Sequence, residues 1–219
     1  ICHDTVTGIY SALYDAWKES RNREAGIELR GKTQQQLFCE YRIVEECEKK
    51  VPAVQRMIKR YMGYNTYWDF YLAILSDDNE KGDAVFRTMQ EARRIADSTR
   101  IMDHLGCPAV AKVFELSRRV SNEAHIYKEV IRFRELENGV LFSEISPRTK
   151  ILACIAEHFA DRFPLENWMI YDKTHKAFLA HRAGAECRLI CGEELNKESA
   201  SRISANQKEY EELWKAFFE

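Results

Sequence analysis

Over Val6 to Trp17 and again over Val51 to Tyr61 apolar side chains return at every third or fourth position, the spacing of helices that bury one face. Val6, Ile9, Tyr10, Leu13 and Trp17 form the first stripe, which Thr5 or Thr7 can cap and which runs to about Ser20. Arg21 to Gln36 is polar, contains two glycines and reads as loop, whereas Phe38 to Val44 alternates in the manner of a strand. Val51, Val54, Ile58 and Tyr61 then place a helix over Cys47 to Met62, with Gly63 ending it. Tyr67 to Leu75 is apolar nearly all round, which predicts a helix at the centre of an α-helical core. Asp77-Asp78-Asn79 is a turn before a helix that runs through Ala96. Asp97 to Pro108 has a glycine, a proline and no periodicity, so it reads as a joint between a helical part, 1–108, and a second part, 109–219. Ala109, Val113, Leu116, Val120, Ala124 and Tyr127 carry a long helix to about Lys128.

Beyond Lys128 the period changes from helical to two. Ile131 to Leu136 and Val140 to Ile145 are runs of strand formers around Asn138-Gly139, which predicts a hairpin closed by a type I′ turn. In that register Arg132 opposes Ile145 and Arg134 opposes Ser143. Ser146-Pro147 supplies a cap and a first helical residue, and Ile151, Leu152, Ile155, Ala156 and Phe159 follow on one face until Pro164. Trp168 to Tyr171 and Ala177 to Arg182 form a second hairpin, and Cys187 to Cys191 a fifth strand. A last helix starts at about Ser204 and carries Tyr210, Leu213, Trp214, Phe217 and Phe218; an end so apolar implies either docking on the body or further chain. The expected fold is α+β: an antiparallel sheet with a β-β-α-β-β core beside a largely helical N-terminal half.

Composition sets limits on this picture. With 45% apolar and 11% aromatic residues the chain has ample material for a core, in one integrated domain or two small ones. A formal charge of −2 with 31% charged residues argues against a dedicated non-specific DNA binder, so any nucleic-acid surface has to be local. No apolar run is long enough to span a membrane and the first residues lack the pattern of a signal peptide, which predicts a cytoplasmic protein without membrane contact. Seven scattered cysteines suit free thiols, and Cys187 and Cys191 lack a second pair of ligands, so neither metal nor cofactor is expected.

Catalytic signatures such as GxGxxG, a Walker loop, GxSxG or HExxH are absent. His158, His175 and His181 stand at no ligand spacing and read as structural or surface residues. The concentrated feature is arginine: Arg132 and Arg134 share a strand face, Arg148 begins the central helix, Arg162 ends it, and Arg182 closes the second hairpin with Lys173 and Lys176 nearby. Two arginines on one strand face need an anion or an acidic neighbour, and both remain open: a nucleic-acid phosphate, or an ion-pair network with Glu123, Glu135, Glu144 or Asp172. The helix start at Pro147 and Arg148 is a candidate phosphate seat. Glu123 lies at the margin of a buried stripe, where a carboxylate wants a cation. The rings Tyr61, Tyr64, Tyr67, Trp68 and Tyr71 read as packed core with hydroxyls at its edge, with a base-stacking surface as the alternative.

Several pieces taken together resemble a known family. They are Asp4-Thr-Val-Thr-Gly-Ile-Tyr-Ser-Ala-Leu-Tyr-Asp-Ala-Trp17, Glu123-Ala-His125, Arg132-Phe-Arg-Glu135, the run Gly139 to Pro147, His158-Phe-Ala-Asp-Arg162, Trp168-Met-Ile-Tyr-Asp172, and Glu209 to Phe218. Their order and spacing resemble a bacterial family of unknown function labelled as DNA metabolism or DNA repair proteins. The resemblance implies an association with a DNA-repair radical SAM protein, whose gene lies beside those of the family, and with uracil-DNA glycosylase-like domains. It also implies a basic tail after the last helix, and it places His175 where family members often carry arginine.

The expected function is that of an accessory in DNA repair that binds nucleic acid and acts with a radical SAM partner. Arg132, Arg134, Arg148, Arg162 and Arg182 are the expected nucleic-acid contacts, with Trp168 stacking and Asp172 and Glu123 orienting the arginines. A second expectation is a nucleotide- or DNA-acting hydrolase or lyase with Glu123 and Asp172 as acid and base, so whether the chain is an enzyme stays open. A third is a protein-binding scaffold without DNA contact.

Overall fold

The computed structural model of the chain describes residues 1–20, 24–31, 39–136 and 139–191. It divides into two units, Ile1–Val120 and Ser121–Glu219, with the boundary inside one long helix.

In the first unit, α1 (Val6–Glu19) starts where Thr5 turns from extended to helical backbone and its hydroxyl accepts from the Gly8 amide at 2.9 Å. α2 (Val51–Leu75) is broken at Gly63, whose φ of 85° and ψ of 167° belong to no helix, so the expected stop becomes a kink between two helical pieces. α3 (Lys81–Ala92) and a 3-10 segment, Ser98–Asp103, lead to α4 (Pro108–Val130). α3 is shorter than expected, and the joint read as loop holds a regular turn. Ile9, Leu13, Ile58, Phe70, Val85, Phe86, Met89 and Val113 meet in a core from which water is excluded. Lys81 is buried with them, its ammonium 2.6 Å from Asp4 and donating to the Ser76 carbonyl at 2.6 Å.

The strand expected over Phe38 to Val44 is not formed by its described residues. Phe38 lies outside the described residues, and Cys39 to Cys47 holds no ladder. Its alternate residues Tyr41 and Ile43 are exposed, and its backbone meets Ile1 in two bonds, from the Ile1 amino group to the Arg42 carbonyl at 2.7 Å and from the Val44 amide to the Ile1 carbonyl at 2.8 Å. Alternation alone does not make a strand where, among the described residues, the pairing stops at a single residue.

In the second unit a five-stranded sheet runs in the order β1-β2-β3-β4-β5. The strands are β1 (Arg134–Glu135), β2 (Leu141–Ile145), β3 (Trp168–Asp172), β4 (Ala177–His181) and β5 (Arg188–Ile190), with α5 (Leu152–Arg162) between β2 and β3. The sheet is mixed, not antiparallel throughout. β2 and β3 are parallel, because the chain after β2 returns through α5 before laying down β3 alongside, and the other neighbours are antiparallel. Trp168 and Phe159 of α5 pack together with Phe133 on one side of the sheet. Phe142, Met169, Tyr171, Phe178 and Ile190 form a second buried cluster on the other side.

Two local expectations shift. Arg134 pairs with Phe142, one place from the register expected. Leu136 donates to the Val140 carbonyl at 2.9 Å and closes a three-residue loop in place of a two-residue turn, with Gly139 at φ 80°; Asn138 lies outside the described residues. A one-residue slip exchanges the faces of a strand, so the reason matters: this register buries Leu136, Val140 and Phe142 together. α5 begins at Leu152, five residues after Pro147, because the amides that would have opened the helix are held elsewhere. The C-terminal helix expected from Ser204 lies outside the described residues.

Candidate site at the carboxyl edge of the parallel pair

β2 and β3 end side by side, Ile145 next to Asp172. The chain leaves them in two loops, 146–151 toward α5 and 173–176 toward β4. Ligands of sheets with parallel strands collect at the carboxyl ends, where loops diverge and backbone groups are left over.

Asp172 is buried to 1% exposure, yet both of its oxygens are bonded. Oδ1 accepts from the Thr174 amide at 2.9 Å and the His175 amide at 3.0 Å, which folds the chain into the turn that starts β4. Oδ2 lies 2.6 Å from His175 Nδ1. A carboxylate can only accept, so Nδ1 carries a proton, and the neutral form of the ring would have its lone pair on Nε2. The His175 side chain is 20% exposed.

The second loop is organised by Glu123 of α4. Its Oε1 accepts from the Arg148 amide at 2.7 Å, and its Oε2 from the Thr149 amide at 2.9 Å and the Thr149 hydroxyl at 2.5 Å. The sequence placed an anion seat at Pro147 and Arg148, and an anion does occupy the amides of Arg148 and Thr149, but it is the protein's own carboxylate. Glu123 was expected to seek a cation and instead takes three neutral donors, which satisfy a partly buried carboxylate equally well. Tyr127, one turn along α4, is hydrogen-bonded to the Ser146 backbone, and its phenol is raised above the ordinary range by burial first and then by the charges of Glu123 and Asp172. Glu123, Tyr127, Thr149, Asp172 and His175 thus frame one edge of the sheet, with the exposed Arg148 beside them.

The remaining arginines are dispersed. Arg132 does not lie in a strand; its guanidinium donates to the Glu129 carbonyl at 2.6 Å and the Ile131 carbonyl at 3.0 Å, capping the end of α4. Arg134 sits on the face away from α5, over the Phe142 ring at 5.3 Å and 3.9 Å from Glu144, the internal pairing left open by the sequence. Arg162 and Arg182 lie where α5 ends and β4 ends, at the amino edge of β3; there Gly184 donates to the Pro164 carbonyl at 2.9 Å. Trp168, expected to stack on a base, is fully buried and stacks on His181, with ring centroids 5.0 Å apart. Its Nε1 has no acceptor among the described residues.

His175 and Thr149 are the residues that sequence reasoning passed over. The signal for His175 was Asp172-Lys-Thr-His175 across a hairpin turn, since an aspartate that caps its own turn can hold a side chain three residues on. Thr149 carries no such signal.

Residues 79–219 match the model of the DUF4130 family, a domain of unknown function. The chain belongs to the DUF4130 family. The match takes in all of α3, α4 and the sheet, hence every residue of the candidate site. No curated protein and no solved structure matches the chain. Membership in DUF4130 carries no activity with it. No helix among the described residues is long and apolar enough to cross a membrane, and no three or more His, Cys, Asp and Glu among them are grouped to hold a metal ion.

Proposed function

We propose that this DUF4130 chain is a nucleic-acid-binding accessory of DNA metabolism, acting beside a radical SAM protein, and that it meets phosphate at the carboxyl edge of β2 and β3. The observation that carries the reading is the Asp172–His175 pair. A buried carboxylate fixes one ring nitrogen of His175 and presents the other at the strand ends, beside a loop bearing Arg148 and Lys150 and a turn bearing Lys173 and Lys176. Of the carboxylates near this edge, Glu123 and Asp172 each accept three internal donors, and Glu144 pairs with Lys173 at 3.4 Å. The class of nucleic acid and the radical SAM partner rest on the family resemblance of the sequence pieces quoted above.

The test is fluorescence anisotropy with a labelled DNA duplex and the matching single strand across a salt series. Arg148→Glu with Lys176→Glu weakens binding at least tenfold and flattens its salt dependence by about two phosphate contacts. Unchanged binding by the folded double variant removes this edge from the reading.

The same pair supports a second reading, a hydrolase or lyase acting on nucleotides or DNA. The acid-base work expected of Glu123 and Asp172 then falls to His175 Nε2, with Asp172 as its orienting group. Turnover of a nucleotide and damaged-DNA panel that vanishes in His175→Gln favours this reading over the accessory one. Capture of a protein partner with no retention of DNA points to a scaffold.

A further inference from the structure

Five aromatic rings in α2 read as packed core from the sequence, and for three of them the structure places water where the core should be. Tyr61 is 56%, Tyr64 63% and Trp68 41% exposed. After the break at Gly63, Tyr64, Tyr67, Trp68 and Tyr71 recur at i, i+3, i+4 and i+7, so they share one face, while Thr66, Phe70, Ala73 and Ile74 are buried. The rings are arranged against one another: Trp68 stacks on Tyr71 at 5.5 Å and 29°, and Tyr64 tilts toward Tyr67 at 5.9 Å. Cations border the row. Lys59 Nζ stands 4.1 Å from the Tyr67 ring and 5.6 Å from that of Tyr64, and the Arg60 guanidinium 5.6 Å from that of Tyr61.

Charge in this stretch is one-sided. From Val51 to Tyr71 the sequence has Arg56, Lys59 and Arg60 against a single carboxylate, Asp69. Asp69 is half-buried, its pKa raised by that burial, and it is hydrogen-bonded to Ser117. Arg56, Lys59 and Arg60 are exposed. Exposed rings beside cations suit a ligand that alternates flat apolar surfaces with anions.

We infer that the aromatic row of α2 binds single-stranded nucleic acid, with bases stacking on Tyr64 and Trp68 and the backbone running past Lys59 and Arg60. A duplex hides its base faces within its own stack, so only an unpaired strand can use these rings. This rests on the nucleic-acid reading above and adds to it the strandedness of the ligand and a second contact, in the first unit.

The experiment measures anisotropy of a fluorescein-labelled oligothymidylate, alone and annealed to its complement, with the whole chain. The unmodified chain binds the single strand more tightly than the duplex. Tyr64→Ala with Trp68→Ala lowers single-strand affinity by about tenfold or more. Trp68→Phe in place of Trp68→Ala recovers most of that loss, and Lys59→Glu reduces the salt dependence. Because Tyr64 is 63% and Trp68 41% exposed, circular dichroism of the double variant should match that of the unmodified chain. Single-strand affinity within about twofold in that variant overturns the inference. Duplex binding that depends on Arg148, together with indifference to the oligothymidylate, also overturns it and leaves the edge reading in place. Oligothymidylate binding that is lost with Tyr64 and Trp68 but unaffected by Arg148→Glu upholds it and sinks the edge. Loss of a captured protein partner in the double variant, with no nucleic acid bound by the unmodified chain, overturns both.

Discussion

His175 Nδ1 and Asp172 Oδ2 lie 2.6 Å apart across the turn that joins β3 to β4, and the same carboxyl group accepts the amides of Thr174 and His175. One buried side chain therefore shapes a turn and sets the tautomer of a ring.

The two roles separate by substitution. Asp172→Ala leaves two amides and an imidazole without their acceptor, and the chain should lose about 1–3 kcal/mol in denaturant unfolding. Asp172→Asn keeps an acceptor for the amides but can turn its own N–H toward Nδ1. It should cost less stability while moving the ring proton to Nε2, which long-range nitrogen NMR of the ring would register. Retention of the Nδ1–H tautomer in Asp172→Asn would count against the assignment.

Glu123 holds the loop that displaces the start of α5. Glu123→Ala uncovers the amides of Arg148 and Thr149 and the Thr149 hydroxyl, and should cost about 2–4 kcal/mol. Glu123→Gln retains one acceptor oxygen and should lose roughly half as much. Equal losses in the two variants, measured by denaturant melts, would mean that the one oxygen and the side-chain volume kept by glutamine count for nothing and that both carboxylate oxygens are needed.

Much of the second unit was legible because its signals are local. Trp168 to Asp172 and Ala177 to His181 are short runs of strand formers around a polar turn, and they pair residue for residue, Trp168 with His181 and Asp172 with Ala177. What escaped the sequence depended on distant residues. The helix start at Ser146-Pro147 was overruled by Glu123, 25 residues upstream of Arg148. The register of β1 was decided by burial of Leu136, Val140 and Phe142 against an Asn-Gly turn preference worth less than that burial. Arg132 and Arg134 were placed together by strand alternation, yet Arg132 leaves the strand to cap α4. In α2 the apolar pattern of Tyr67 to Leu75 covers every side of the helix and so could not tell which rings face outward.

Lys81, in the first unit, is a cation with 0% side-chain exposure. Lys81→Ala removes bonds to Asp4 and the Ser76 carbonyl and opens a cavity between α1 and α3, which should cost about 2–5 kcal/mol. Lys81→Met fills most of that volume and should fall between Lys81→Ala and the unmodified chain. A thermal melt of Lys81→Met as low as that of Lys81→Ala would assign the whole effect to the charge.

Asp78 makes stability depend on acid. Burial raises its carboxyl, but the hydrogen bonds from Lys112 and the Glu80 amide and the charges of Lys112 and Arg119 outweigh it, so the pKa lies below the ordinary aspartate value of 3.8. A carboxyl depressed on folding contributes stability that is complete above its unfolded value and is lost as the pH falls through the folded one. Asp78→Asn should therefore destabilise the chain at pH 7 and lose that deficit as the medium is taken below about pH 4. A deficit of constant size from pH 7 down to pH 2.5 would contradict the pairing.

The most direct test of the carboxyl-edge site is to follow the His175 ring nitrogens and the Arg148 guanidinium by NMR while DNA is added. The account predicts that both sets of signals move together with DNA occupancy and that Lys150, Lys173 and Lys176 move with them. Signals of His175 and Arg148 that stay in place while anisotropy reports bound DNA would put the contact elsewhere on the chain.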